Sequence, residues 1–157
     1  MELTADMKRV VAEQQLGFIA TVTPDGRPNL SPKGTTVVVD DSHLLFADVA
    51  SPNTVRNLSG NPHIEINVVD PIVRKGYRFK GTATVHTDGD RYQRGLALLG
   101  ERGSSLPGDR VRSIVVVEVV EAAALVSPAY DQDVSEQSVA ANWLAKVAQL
   151  YRDRFGS

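Results

Sequence analysis

The chain of 157 residues carries 17 Lys and Arg against 19 Asp and Glu, which gives a net charge of −2, and it contains no cysteine. The length suits one domain spanning residues 1–157, and the lack of cysteine excludes disulfides, thiolate metal sites and a cysteine nucleophile. The balanced charge gives no electrostatic reason to expect nucleic-acid binding. Neither a signal-peptide pattern nor an apolar stretch long enough to cross a bilayer is present, so we expect a cytoplasmic protein with no membrane partner.

The N-terminal part of the sequence predicts a helix, three strands and a second helix. The first helix is expected over Ala5–Gln14, with Thr4 as its N-cap. Gly and Asp residues in short turns separate three extended segments, expected over residues 18–23, 27–39 and 44–47. Ser51 followed by Pro52 is typical of a helix start, and the Gly60-Asn61-Pro62 run ends that helix.

The C-terminal part predicts three more strands, over residues 63–69, 76–87 and 111–126. A helix capped by Asp88 is expected up to Glu101. A last helix, capped by Ser135, carries an apolar docking stripe formed by Val139, Trp143, Val147 and Leu150. Six strands in meander order, with short helices at corners and ends, indicate a mainly β (α+β) fold built on a six-stranded antiparallel barrel with short peripheral helices.

The common catalytic motifs are missing. No Gly-x-Gly-x-x-Gly or Walker-type loop occurs, and no nucleophile-elbow pattern indicates a hydrolase. The three histidines, His43, His63 and His86, lie on separate elements without the spacing of metal ligands, so no metal site is expected.

Two local features nevertheless indicate a ligand. The helix that starts after Ser51 offers unpaired N–H groups and a partial positive charge, to which Ser51, Asn53 and Thr54 add polar side chains. A period of two places Asn29, Ser31, Lys33 and Thr35 on one face of the second strand.

Each feature alone is more often an ordinary cap or a solvent face. Pro32 and Gly34, however, are poor strand residues that often mark a bulge or the close approach of a ligand. Together the two features predict one pocket, in which the strand contacts a flat heterocycle and the helix start holds its phosphate.

Four segments carry a family resemblance. They are TVTPDGRPNLSPKG at residues 21–34, ASPNTVRNLSGNP at 50–62, GYRFKGTA at 76–83 and VSPAYD at 126–131, the last followed by a helix with Trp143. In this order they resemble the FMN-binding split β-barrel proteins related to pyridoxamine 5′-phosphate oxidase, in particular the small bacterial members. The resemblance implies a split barrel that binds FMN across the interface of a homodimer.

The resemblance also assigns cofactor-binding residues. It implies that the strand from Asn29 to Lys33 lies beside the flavin ring, flanked by Gly76 and Tyr77, and that Ser51, Asn53 and Thr54 hold the phosphate. The full set is Asn29, Leu30, Ser31, Pro32, Lys33, Ala47, Asp48, Ser51, Asn53, Thr54, Gly76 and Tyr77, with Ala47 and Asp48 along the ribityl chain. Lys33 is the candidate for stabilising negative charge on the reduced ring.

Two departures from the family pattern limit the function. Asn53 and Thr54 stand where pyridoxamine phosphate oxidases carry an Arg-Lys pair, and their Arg-x-His substrate motif is missing here. We therefore expect an FMN-dependent oxidoreductase with a nicotinamide or another reduced electron donor, not a true pyridoxamine phosphate oxidase. The alternatives are a non-catalytic FMN-binding or electron-transfer protein, and a split barrel that holds deazaflavin or haem. For Trp143, packing is the expected role.

Overall fold

A computed structural model describes residues 1–103, 107–131 and 133–156 of the chain. Those residues form four α-helices: α1 (Ala5–Gln14), α2 (Pro52–Gly60), α3 (Gly89–Glu101) and α4 (Glu136–Phe155). The strands are β1 (Gly17–Val22), β2 (Pro28–Lys33), β3 (Val37–Val38), β4 (His43–Asp48), β5 (His63–Asp70), β6 (Lys75–His86) and β7 (Ser113–Val126).

All seven strands belong to one antiparallel sheet with the order β2-β1-β5-β6-β7-β4-β3. The two edge strands, β2 and β3, follow each other directly in the chain, with only residues 34–36 between them. Since four Cα steps span at most about 14 Å, the two edges of the sheet must approach each other. The sheet is therefore curled into a half-barrel.

The expectation of six strands in meander order is wrong in both number and order. β1 pairs with β5 and β4 pairs with β7, so the sheet is not a simple meander, and it has seven strands. The segment expected as one strand over 27–39 divides into β2 and β3, because residues 34–36 turn away from the strand direction. The turn is fixed by contacts distant in sequence: Thr35 Oγ1 accepts a hydrogen bond from Ala47 N at 2.9 Å, and Thr36 N donates to Gln15 O at 3.2 Å. The remaining elements lie where the sequence predicts them, within a few residues at each end.

The main apolar core fills the inner side of the half-barrel. α1 closes it with one apolar face, since Met7, Val10 and Val11 are buried together with Leu3, which precedes the helix. A smaller core lies on the other side of the sheet, where α3 covers β4 and the start of β7. Gly95 allows this close contact, because a Cβ atom there would lie 2.6 Å from Ile114 Cγ2.

The predicted helix caps are confirmed in part. The hydroxyls of Thr4 and Ser135 accept hydrogen bonds from Met7 N and Ser138 N, as expected for N-caps. Asp88 precedes α3, but its side chain makes no capping hydrogen bond.

The predicted docking stripe of α4 is confirmed at three of its four residues. Val139 is buried, and Trp143 and Val147 are half-buried, whereas Leu150 is 61% exposed. The guanidinium of Arg74 lies 4.6 Å from the ring centre of Trp143.

Among the helices that the structure describes, none combines the length and the apolar character needed to cross a bilayer.

Candidate functional site

The two polar features expected from the sequence lie side by side. Lys33, the last residue of β2, donates from Nζ to the hydroxyl of Ser51, which precedes α2, at 2.6 Å. The same ammonium group donates to Ser31 Oγ, two residues earlier on β2. Together with Asp48 at the end of β4, these residues form what we call the Lys33 cluster: Ser31, Lys33, Asp48 and Ser51.

The turn from β4 into α2 explains why Ser51 is available to Lys33. Asp48 Oδ1 accepts a hydrogen bond from Ser51 N at 2.7 Å, so the carboxylate organises the turn. Pro52 then takes the first helical position, where its missing N–H costs nothing. The Ser51 side chain makes no capping hydrogen bond, which corrects the expectation that it acts as an ordinary cap. Its hydroxyl contacts Lys33 instead.

Lys33 and Asp48 are a buried pair of opposite charges. Lys33 is 6% exposed and Asp48 is 4% exposed. Burial lowers the pKa of Lys33, and the nearby Asp48 carboxylate opposes that shift. An anion bound beside the Lys33 ammonium would offset the cost of its burial, as the Asp48 carboxylate already does in part.

Ser113 adds a polar group that the sequence reasoning missed. It pairs with Asp48 across β4 and β7, and residues that face each other in this way point to the same side of a sheet. Its hydroxyl is buried and has no hydrogen-bond partner among the residues that the structure describes. Such groups are rare and call for an explanation, and a bound ligand would supply one. The sequence signal is a polar residue directly before the apolar run at residues 114–117.

A second hydrogen-bond network holds the site together. The buried hydroxyl of Thr21 on β1 accepts hydrogen bonds from Asn57 at 3.0 Å and from Asn29 at 3.3 Å. Asn57 lies on α2 and Asn29 on β2, so a single side chain on β1 connects the helix to the strand. The sequence placed Asn29 at the site, but it gave no role to Thr21 or Asn57.

The other predicted residues of β2 follow the expected alternation. Leu30 and Pro32 point away from the Lys33 cluster, and Leu30 is 67% exposed. Thr35, which was expected on the polar face with Lys33, is not part of β2. It is buried against Ala47, as described above, so the interpretation of the stripe as a solvent face is wrong at Lys33 and Thr35.

The predicted site residues at the end of β4 and the start of α2 are divided between the surface and the interior of the protein. Ala47 is buried beneath α3, which leaves only its backbone near the cluster. At the start of α2, Asn53 is exposed and Thr54 is 2% exposed. Thr54 N donates to Ser51 O at 3.1 Å. Asn53 is therefore the accessible polar side chain of this first turn, while Thr54 packs inward.

Gly76 and Tyr77 line a different cavity of this chain, together with Asp6, Arg9 and Glu136, and no residue of the Lys33 cluster lines it. The Tyr77 hydroxyl donates to Asp6 Oδ2 at 2.6 Å, which raises the pKa of Tyr77. Gly76 is explained by packing, because a Cβ atom there would lie 2.1 Å from Val68 O. Within one chain the structure does not bring these two residues to the cluster, and their contact with a cofactor stays a prediction.

The donor set of the cluster suits a phosphate group. The ammonium of Lys33 and the hydroxyls of Ser31 and Ser51, at the first turn of α2, are groups that bind phosphate oxygens in proteins. The Ser113 hydroxyl lies on the same side of the sheet as Asp48. No group of three or more His, Cys, Asp or Glu side chains that could hold a metal ion occurs in the described residues.

Comparison with known proteins identifies the family. The family model for pyridoxamine 5′-phosphate oxidase matches residues 3–125, which is more than three quarters of the chain. The chain belongs to the pyridoxamine 5′-phosphate oxidase family. It is 30% identical to HupZ of Group A Streptococcus, whose crystal structure superposes with a TM-score of 0.69 over 80% of this chain and 95% of that one. It is also 28% identical to an uncharacterised protein of Methanocaldococcus jannaschii, over 77% of this chain and 79% of that protein.

More distant structures of the same fold differ in the cofactor that their names give. One is an FMN-binding protein from Syntrophomonas wolfei, with 13% identity and a TM-score of 0.62 over 78% of this chain and 86% of that one. Another is an F420 reductase, with 22% identity and a TM-score of 0.61 over 77% of this chain and 98% of that one. A third is the haem storage protein HutZ from Vibrio cholerae, with 22% identity and a TM-score of 0.60 over 80% of this chain and 95% of that one. At these identities the likeness concerns the fold alone. The fold alone therefore does not decide which cofactor a chain binds.

Proposed function

We propose that this chain is an FMN-dependent oxidoreductase that binds the FMN phosphate at the Lys33 cluster. The observation that carries the proposal is the hydrogen bond from Lys33 Nζ to Ser51 Oγ, which places a buried cation at the first turn of α2. A cation and a helix N-terminus at the same point are the two features by which proteins hold a phosphate without a metal.

Each residue of the site has a separate role in this proposal. Lys33 and Ser51 hold the phosphate, Asp48 orients the turn that presents Ser51, and Ser113 supplies the remaining hydroxyl. Bound FMN would supply the redox chemistry, by carrying a hydride or single electrons between a reduced donor and an acceptor. Vitamin B6 oxidation is not proposed, because no Arg-x-His occurs in the sequence.

Deazaflavin and haem are the alternative cofactors suggested by the structural neighbours. Haem is commonly held by a histidine ligand, and His43, His63 and His86 all lie outside the Lys33 cluster. A deazaflavin with a phosphate would use the same donors as FMN. The visible spectrum of the purified protein distinguishes a flavin, a deazaflavin and haem directly.

The binding experiment compares FMN with riboflavin, which has the same ring without the phosphate. We expect FMN to bind at least tenfold more tightly, because hydrogen bonds to charged groups contribute about 1.5–3 kcal/mol. The change Lys33→Met should remove most of that difference by weakening FMN alone. The matched control is Ser59→Ala, at the far end of α2, where the exposed hydroxyl donates only to Val55 O of its own helix. Equal affinity for FMN and riboflavin in the unmodified protein would contradict the proposal.

Catalysis is tested separately from binding. Steady-state oxidation of NADH and NADPH by the FMN-loaded protein should exceed that of free FMN under the same conditions. FMN binding without any such acceleration would favour the alternative of a non-catalytic flavin-binding or electron-transfer protein.

We further propose that the protein works as a homodimer. Phe18 and Val22 on β1 and Leu30 on β2 are large apolar side chains exposed on one face of the sheet. In the β1–β2 register, Phe18 lies opposite Pro32 and Val22 opposite Pro28, so the exposed residues form a continuous outer apolar face. Contiguous exposed apolar surface of this kind is typical of a protein–protein interface.

A further inference from the structure

A second cavity lies between α3 and the sheet, and no residue of the Lys33 cluster lines it. Its volume is about 540 Å³, within the range of roughly 300–1,000 Å³ that is typical of small-molecule sites. We call it the α3 groove. Its lining residues are Val39, Asp40, His43, Leu45, Arg91, Arg94, Gly95, Ala97, Leu98, Glu101 and Val116.

The floor of the α3 groove is apolar. Leu45 on β4 pairs with Val116 on β7, and both face α3. Leu98 contributes a half-buried wall from the helix. The close packing of Gly95 on Ile114 holds the helix against the sheet at this point, so the groove runs along the side of α3. A ligand in this groove must therefore present an apolar body.

Two arginines give one end of the groove a positive charge. Arg91 and Arg94 are one helical turn apart and so share a face of α3. Neither forms a salt bridge within residues 1–103, 107–131 and 133–156. Two guanidinium groups on one wall can bind a carboxylate through several parallel hydrogen bonds.

Two acidic residues also line the groove. Asp40 accepts hydrogen bonds from Ser42 N at 2.8 Å and from His43 N and Nδ1, each at 2.9 Å, which hold its carboxylate in its own turn. Within the described residues it forms no salt bridge with Arg91 or Arg94. Glu101 lies ten residues after Arg91 on α3, which corresponds to about 15 Å along the helix. Along α3 the groove is thus cationic near the start of the helix and acidic at its end.

We propose that the α3 groove binds a small amphipathic monocarboxylate, with its carboxylate at Arg91 and Arg94 and its hydrocarbon chain over Leu45, Val116 and Leu98. The charge separation along α3 selects for a single acidic end, because a second carboxylate would meet Glu101. This site is separate from the Lys33 cluster and does not depend on the proposed cofactor.

Octanoate is the probe, measured by calorimetric titration of the full-length protein. Octanol has the same chain without the charge, and acetate has the charge without the chain. Octanoate should bind at least tenfold more tightly than either, because only octanoate uses both the floor and the arginines.

Three variants locate the binding. The double change Arg91→Gln and Arg94→Gln should weaken octanoate at least tenfold and leave octanol unchanged. Ala97→Trp, on the exposed side of the groove, should weaken octanoate and octanol by filling the space. The control is Arg152→Gln with Arg154→Gln, which removes the same charge from the exposed end of α4 and should leave octanoate affinity unchanged.

Any of three results would overturn the proposal: no octanoate binding, equal loss of affinity in the α3 and α4 double variants, or no effect of Ala97→Trp. Thermal melting of each variant confirms that it is folded, so a loss of binding is attributed to the groove.

Discussion

Lys33 shows how far residue patterns alone can be used. The alternation along residues 29–33 correctly placed Asn29, Ser31 and Lys33 on one face, but it could not show that this face is covered. Lys33 is buried where its ammonium donates to Ser51, which lies 18 residues further along the chain, just before α2. A period of two reports which residues share a face, whereas the partner of that face is decided by the topology of the sheet.

If Lys33 lies beside the flavin ring, as the family resemblance implies, and not at the phosphate, Lys33→Met should lower the reduction potential of bound FMN. A positive charge near the ring stabilises the reduced, more negative state, and its loss should shift the potential downward by about 30 mV for each tenfold change in the equilibrium constant of a two-electron couple. Spectroelectrochemical titration measures this directly. Lys80→Met is the control, because Lys80 is exposed and paired with Glu121 at 2.9 Å. An unchanged potential in Lys33→Met would remove this role and leave phosphate binding as its function.

Ser113→Ala should have opposite effects on stability and on binding. Its buried hydroxyl has no partner in the described part of the chain, so its removal should leave the free energy of unfolding of the ligand-free protein unchanged or increase it by up to about 1–3 kcal/mol. FMN affinity should fall in the same variant.

Thr21→Val is the comparison for Ser113→Ala when the free energy of unfolding is measured in urea. The Thr21 hydroxyl accepts hydrogen bonds from Asn29 and Asn57, so that variant should be destabilised by about 1–3 kcal/mol. A destabilised Ser113→Ala protein with unchanged FMN affinity would show that Ser113 has only a structural role.

At the level of elements, the sequence predicted most helices and strands because their signals are local. Thr4 caps α1 and Ser135 caps α4 through side chains within three residues of the bonds they make. The division of residues 27–39 into β2 and β3 could not be predicted in the same way. It depends on hydrogen bonds from Ala47 N to Thr35 Oγ1 and from Thr36 N to Gln15 O, which exist only once the sheet has curled.

Gly95→Ala should destabilise the protein although alanine favours helices. A Cβ atom at position 95 would lie 2.6 Å from a methyl group of Ile114, which is fully buried and cannot move away. Such overpacking costs about 1–3 kcal/mol. Gly100→Ala is the matched control on the same helix, since nothing lies within 4 Å of the added atom, and it should stabilise by up to about 1 kcal/mol. Urea denaturation of both variants measures the two changes, and equal effects would contradict the close packing of α3 on β7.

For the molecule as a whole, the family resemblance carried more of the prediction than the strand pattern did. Motif order across residues 21–131 identified the family that the comparison confirms. The same motifs did not show that Gly76 and Tyr77 lie apart from the Lys33 cluster within one chain. If these residues contact the same cofactor, a second copy of the chain must bring them there. The predicted site is therefore complete only in the proposed dimer.

Leu30→Lys should dissociate that dimer without unfolding the monomer. Leu30 is 67% exposed in the single chain, so a lysine there costs the monomer little. In a symmetric dimer the change occurs twice, and the loss of about 1.5–3 kcal/mol of apolar burial at each copy should raise the dissociation constant roughly a hundredfold or more. Light scattering at micromolar concentration should give the 17.0 kDa mass of one chain for the variant and twice that mass for the unmodified protein. Leu150→Lys, similarly exposed on α4, is the comparison. If Leu150→Lys dissociates the dimer and Leu30→Lys does not, the interface lies on α4, and the outer face of β1 and β2 is not the contact.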